Sequence, residues 1–160
     1  MAGGFLTVRQ RDEKGSPKAF VLTRPDGREC GTILERSSEH FTMHPDVFEN
    51  LGVRLLKEAE QCDYVVLDEI GGFELLSDAF EAALMKLLNS DVPCIGVMKG
   101  RGPAGAMIRK LGLEDAYMQK AEKLRLWMQR DENTVLCECG QFDQEGLRLA
   151  QRWVAEHVKR

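Results

Sequence analysis

Two adjacent carboxylates, Asp68 and Glu69, follow the apolar segment 64–67 and precede two glycines, Gly71 and Gly72. A short, nearly all-apolar segment of this kind predicts a strand covered on both faces of a sheet. Ligands of α/β sheets bind outside the carboxyl ends of the strands, where these acids fall. One carboxylate can hold a hydrated magnesium ion against nucleotide phosphates, and its neighbour can orient or deprotonate an attacking water. The glycines leave room for a phosphate or a moving loop.

The acid pair also has a simpler interpretation. Two acids can merely end a strand and cap the helix that follows. Short motifs match by chance often, so the pattern alone leaves both interpretations open.

Composition indicates one globular domain over residues 1–160, because this length suffices for a single hydrophobic core. A net charge of -4 gives no electrostatic support for sequence-independent binding to nucleic acid or to an anionic membrane. No run of about 18 apolar residues and no basic leader followed by an apolar stretch occurs, so we expect a cytoplasmic protein.

Five cysteines are an odd number in core-like surroundings, which favours reduced thiols over a disulfide framework. Cys137 and Cys139, in "CEC", can form half of a metal site, but no other Cys or His pair has complementary spacing. A buried or edge thiol pair is therefore the favoured interpretation. His40 and His44 lack an evident third ligand, which favours surface or capping roles.

The first third of the chain predicts β structure. "GFLTVRQ" and "KAFVLTR" are strand-like runs separated by a charged turn, and "PDGREC" is a turn signal before "GTIL". An antiparallel meander follows from this order.

The middle of the chain alternates helix and strand. Apolar spacing predicts helices over 44–61 and 77–91, the second with Ser77 as its N-cap. A second buried strand is predicted over 92–98, before a glycine-rich loop at 99–105. This alternation indicates an α/β fold with a largely parallel sheet.

The last third is less regular. A short helix is predicted over 104–112, then a mixture of strand and basic helical or irregular structure, with a strand at 133–138. Residues 143–160 predict an amphipathic helix with an apolar face. The basic stretch 120–130 around Trp127 can bind nucleic acid, but a packed amphipathic helix with a solvated basic face explains it more simply.

Three stretches together resemble the small P-loop nucleoside-triphosphatase family of thermophiles, other microbes and animals. They are "GGFLTVRQR" with Arg11, "AFVLTRPDGREC" and "DYVVLDEIGGFEL". Members of the family carry a "GF.T....R" strand, a "GF" strand in a hairpin and a "DEIGKMEL" acidic box of the Walker B type. The resemblance covers roughly residues 3 to 98 and is most specific at 65 to 75.

This resemblance implies a three-layer, RecA-like α/β sheet flanked by helices, with the β hairpin or meander near the N-terminus. It implies magnesium-dependent hydrolysis of a nucleoside triphosphate such as ATP or GTP. Asp68 would coordinate the magnesium and Glu69 would be catalytic, while Glu74, the second acid of the box, would be structural.

The chain departs from the family pattern at several positions. Gly72 and Phe73 stand where the box has lysine and methionine. In the loop after the second buried strand, Lys99 and Arg101 can contact a γ-phosphate, although a solvated basic loop is an equal alternative. Arg11 is a further candidate for nucleotide contact.

The phosphate-binding motif "GxxxxGK[ST]" of such enzymes does not occur in the 160 residues. We therefore expect that the first strand and the P-loop helix are absent and that the domain is incomplete at its N-terminus. The resemblance implies that the absent strand would lie between the strands at 93–98 and near 134–138. Compensation is expected from closure of the gap, from a homo-oligomer paired through exposed strand edges, or from an upstream segment.

Two functions follow. The first is a nucleoside-triphosphatase that is inactive or weak in this chain, because backbone N–H groups and a lysine around the phosphates are missing. The second is a non-catalytic binding or regulatory module derived from the same fold, which associates with itself or with a partner.

Overall fold

A computed structural model describes residues 1–37, 40–100, 116–139 and 144–158. Six strands form one mixed sheet in the order β4-β3-β2-β1-β5-β6. The strands are β1 (Ala2–Arg11), β2 (Pro17–Thr23), β3 (Cys30–Ser37), β4 (His40–Met43), β5 (Tyr64–Ile70) and β6 (Cys94–Met98). The antiparallel meander and the parallel strand pair that the sequence predicts are confirmed, and β4 is an addition to them.

Strand β1 joins the two halves of the sheet. Its first residues pair in parallel with β5, and its later residues pair antiparallel with β2. Gly4 lies opposite Val66 with φ +88°, and a Cβ at this position would lie 2.0 Å from the Val66 carbonyl oxygen. Glycine alone fits this close approach of two backbones.

Helices cover the sheet as the apolar spacing predicts. A short helix α1 (Pro45–Val47) continues through a π-helical turn (Phe48–Gly52) into α2 (Val53–Ala59). Helix α3 (Asp78–Leu88) begins where predicted, since the Phe80 N–H donates to Ser77 Oγ at 3.2 Å. Phe80 is fully buried, and its ring centroid lies 5.9 Å from that of Phe5 in the core.

The second strand forms as predicted, but the prediction that it is buried is wrong. Strand β6 forms next to β5, but it is the last described strand in the sheet order, and Val97 is 57% exposed. The segment 133–138, where a further strand is predicted, has no strand structure. An apolar run shows which side chains favour burial, and it does not show whether another element covers them.

The C-terminal third is more helical than predicted. Helix α4 (Ala116–Arg130) is continuous and buries Ala121, Leu124 and Met128 on one face, which confirms the packed amphipathic helix. Helix α5 (Gln144–His157) also forms as predicted, but it has no buried residue. The predicted helix over 104–112 lies outside the described residues.

The cysteines are less buried than the sequence suggests. Cys30, Cys137 and Cys139 are exposed, so the alternative of a buried thiol pair at 137–139 is wrong. No described helix is both long and apolar enough to span a membrane. The cytoplasmic location stays a prediction.

Candidate active site

Asp68 lies near the carboxyl end of β5 and is held there by β1. The Thr7 N–H donates to Asp68 Oδ2 at 3.3 Å, and the Thr7 hydroxyl donates to the Asp68 backbone carbonyl at 2.9 Å. Thr7 therefore fixes both the backbone and the carboxylate of the acid. No role was predicted for it, although it is the threonine of the "GF.T" pattern.

Glu69 occupies a bulge in the parallel pair β5–β6. Asp68 pairs with Val97 and Ile70 with Met98, which leaves Glu69 as an extra residue between them. Its φ is +67°, the left-handed region that costs a non-glycine residue about 1–2 kcal/mol. Bulges next to active sites turn a side chain away from the alternation of the strand.

The Glu69 carboxylate faces Lys99, whose side chain is largely shielded from solvent. Glu69 Oε1 lies 3.6 Å from Lys99 Nζ, and the lysine side chain is only 9% exposed. The Lys99 N–H donates to the Ile70 carbonyl at 2.7 Å, and its own carbonyl accepts from Arg125 Nη2 at 2.9 Å. These contacts with β5 and α4 fix the Lys99 backbone, whereas residues 101–105 of the predicted basic loop lie outside the described residues.

Two glycines let the lysine and a second carboxylate approach the bulge. Gly71 has φ +85° and lies against Met98. A Cβ at Gly72 would lie 2.7 Å from Glu74 Oε2 and 3.5 Å from Lys99 Nζ. The ammonium group of Lys99 therefore lies next to Gly72, the position at which the family pattern has a lysine.

Glu74 is a buried acid, 4% exposed. Its Oε1 accepts from the Gly72 N–H at 2.8 Å. Burial raises the pKa of Glu74 above its ordinary value, although backbone N–H groups and the charge of Lys99 oppose this effect. The bond to Gly72 ties the acid to the turn after β5.

Tyr117 on α4 is a site residue that the sequence did not indicate. It is fully buried, and its hydroxyl has no hydrogen-bond partner within the described chain. Burial, followed by the charges of Glu74 and Glu69, raises the pKa of Tyr117 to about 12. A lone tyrosine at the start of a helix carries no sequence signal for such a position.

Of the two remaining candidates, only Arg11 lies in the described chain, and its hydrogen bond is in a turn away from the acid pair. Arg11 donates to the Gly15 carbonyl at 2.6 Å, in the turn between β1 and β2. Arg101 lies outside the described residues.

The donor set fits magnesium only in partnership with a nucleotide. Among the described residues, no group of three or more His, Cys, Asp or Glu side chains could hold a metal ion alone. Magnesium bound with phosphates needs only one or two protein carboxylates. Asp68 suits this role, because the one hydrogen bond described for its carboxylate, from Thr7 N–H, leaves further lone pairs for a cation or its waters.

A mixed sheet flanked by helices, with an acid pair near the carboxyl end of the parallel strand β5, is the architecture of an α/β protein like the P-loop NTPases. The family model described as "NTPase" matches residues 1–126, and the chain belongs to this NTPase family.

Several curated relatives are named "Nucleoside-triphosphatase THEP1". The one from Methanosarcina barkeri (strain Fusaro) is 28% identical over 127 residues, which cover 77% of this chain and 72% of the relative. The one from Methanosarcina acetivorans is 36% identical over 49% of this chain and 45% of the relative. The one from Thermofilum pendens is 33% identical over 67% of this chain and 62% of the relative. The chain thus spans between about half and three quarters of these relatives, and no solved structure matches it significantly.

Proposed function

We propose that this chain carries the metal-binding and water-activating part of a nucleoside-triphosphate hydrolysis site. We also propose that turnover by these 160 residues alone is weak. The observation that supports the first proposal is Glu69, a carboxylate held in a left-handed bulge beside Asp68 at the carboxyl end of β5. Strained backbone of this kind persists where the surrounding structure fixes it, and it clusters at active sites.

Each side chain has a distinct role in this proposal. Asp68 would hold the magnesium ion, which supplies charge neutralisation of the phosphates when bound. Glu69 would accept a proton from the attacking water or orient it. Lys99 compensates the second negative charge beside Asp68, and its ammonium group is within reach of a phosphate that enters between the two acids.

Weak turnover follows from the missing phosphate cradle. A "GxxxxGK[ST]" loop supplies backbone N–H groups and a lysine to the β- and γ-phosphates, and the sequence has no such loop. Removing even one preorganised donor from an active site costs about 100-fold to 1,000-fold in rate. The acidic part alone should therefore bind Mg-nucleotide weakly.

The test combines binding and turnover. Phosphate release from Mg-ATP and Mg-GTP would be measured for the chain, for Glu69→Gln and for Asp68→Asn, with Glu13→Gln in the exposed β1–β2 turn as the matched control. Nucleotide binding would be titrated by calorimetry, with magnesium and with a chelator.

We expect a low rate that Glu69→Gln abolishes and Glu13→Gln leaves unchanged. Asp68→Asn should weaken nucleotide binding in magnesium and have no effect in chelator. Equal turnover by the chain and by Glu69→Gln would overturn the catalytic role. Magnesium-independent binding that Asp68→Asn does not change would overturn the metal role and favour the non-catalytic module.

A further inference from the structure

Two thiols lie side by side on the surface between α4 and α5. The Sγ atoms of Cys137 and Cys139 are 3.5 Å apart, and both residues are exposed. The Cys139 thiol also lies 3.6 Å from the Cys137 carbonyl oxygen. The other three cysteines make no sulfur–sulfur contact with one another in the described chain, so this pair differs from them in geometry.

Helix α5 lies close to one of the two thiols. A Cβ at Gly146, in the first turn of this helix, would lie only 2.3 Å from Cys139 Sγ. The thiol therefore occupies the space that any other residue at 146 would fill. Cys139 Sγ thus lies close both to Gly146 and to Cys137 Sγ.

We propose that Cys137 and Cys139 are a redox modification site, at which a low-molecular-weight disulfide such as oxidised glutathione closes an intrachain disulfide. One cysteine thiolate attacks a sulfur of the small disulfide, forms a mixed disulfide and releases one thiol. The second cysteine then attacks the protein sulfur of the mixed disulfide and releases the other thiol. Overall, the two cysteine thiols lose two protons and two electrons, and the small disulfide gains them and becomes two thiols.

The short spacing makes this modification reversible. Closure requires the sulfurs to move from 3.5 Å to a bond of about 2.05 Å. A ring that spans one intervening residue departs from relaxed disulfide geometry, and strained, exposed disulfides are the readily reduced ones. Excess reduced glutathione should therefore reopen the ring. None of this depends on nucleotide hydrolysis.

The experiment uses the full reduced chain and oxidised glutathione, followed by acid quenching, alkylation and tryptic mass spectrometry. Cleavage after Arg130 and Arg148 gives a peptide that contains only these two cysteines. We expect this peptide to lose two hydrogens, with the mixed disulfide at less than about a tenth of the closed form, because ring closure is intramolecular. Reduced glutathione should reverse the change.

Three variants test whether the reaction depends on the pairing of the two cysteines or only on the exposure of each thiol. Cys137→Ser and Cys139→Ser should each stop at the mixed disulfide, whereas Cys62→Ser, the matched control, should leave closure unchanged. In the same sample, Cys30 supplies an exposed thiol outside the pair, and it should stop at its mixed disulfide.

Three results would overturn the proposal. The first is glutathione on both Cys137 and Cys139 without ring closure. The second is a disulfide between two copies of the chain, detected by non-reducing electrophoresis. The third is a tryptic peptide that remains fully reduced while Cys30 reacts.

Discussion

At the residue scale, Glu69 combines a side chain that we propose to be catalytic with an unfavourable backbone conformation. Its φ of +67° suits glycine, yet the residue is a glutamate that faces Lys99. Selection for stability alone would place glycine there. The glutamate therefore lies in a backbone conformation that stability alone would not favour.

Two substitutions at Glu69 separate strain from charge. Glu69→Gly and Glu69→Gln both remove the charge, but only glycine relieves the left-handed conformation. We expect Glu69→Gly to exceed Glu69→Gln in free energy of unfolding by about 1 kcal/mol, measured by urea denaturation. Equal stability of the two variants would show that the bulge carries no strain.

The buried acid Glu74 makes a prediction about pH. Because its pKa is raised on folding, the folded state binds more protons than the unfolded state above the ordinary glutamate pKa of about 4.3. The unfolding free energy should therefore fall as pH rises through the range between the unfolded and the folded pKa. Glu74→Gln should remove this part of the slope, so its stability relative to the parent chain should increase with pH.

Urea midpoints at several pH values test this expectation, with the exposed Glu13→Gln as the control. A parallel pH dependence for the parent chain and Glu74→Gln would contradict it. In that case the hydrogen bond from Gly72 and the charge of Lys99 would balance the effect of burial on the pKa.

At the element scale, the contact between β1 and β5 positions the acids. Thr7 reaches Asp68 only because the first residues of β1 lie directly against β5, and Gly4 makes this approach possible. The paired acids therefore depend on a glycine distant from them in sequence.

Gly4→Ala should destabilise the protein severely, since its Cβ would meet the Val66 carbonyl at 2.0 Å. Gly15 is the matched control, because it also has positive φ, at +79°, but no atom lies within 4 Å of its Cβ position. We expect Gly15→Ala to cost about 1 kcal/mol and Gly4→Ala to cost at least about 3 kcal/mol, measured by thermal and urea denaturation. Similar losses would indicate that β1 and β5 separate easily.

At the scale of the whole molecule, one core extends from β1 to α4. Helix α5 lies outside this core, has no buried residue and leaves Leu147 and Val154 largely exposed. The contact between the rings of Trp153 and Tyr64, 6.2 Å apart, is one link between α5 and the sheet. The single domain over 1–160 and self-association through strand edges both stay predictions.

Hydrogen exchange should distinguish the core elements from helix α5. We expect amides of β5 and α3 to exchange only through global unfolding, and amides of α5 to exchange orders of magnitude faster through local opening. Mass spectrometry of peptic fragments provides the measurement. Equal protection of α5 and α3 would show that α5 unfolds together with the core.

The sequence by itself determined much of the local structure. Apolar spacing predicted the meander, the helices and the strand that contains Asp68, because side-chain periodicity follows from backbone geometry. Ser77 predicted the start of α3, because only a few side chains can cap a helix. The acid pair itself was visible as two adjacent letters.

Only the tertiary structure decided which residues meet. Two contacts join segments that are far apart in sequence: the ion pair of Glu69 with Lys99 and the hydrogen bonds of Thr7 with Asp68. The burial of the Tyr117 hydroxyl also depends on packing between distant segments. Periodicity also could not show that β6 lacks a neighbour in the described sheet or that the apolar face of α5 stays exposed. An apolar pattern records which side chains favour burial, whereas the packing of distant elements determines what covers them.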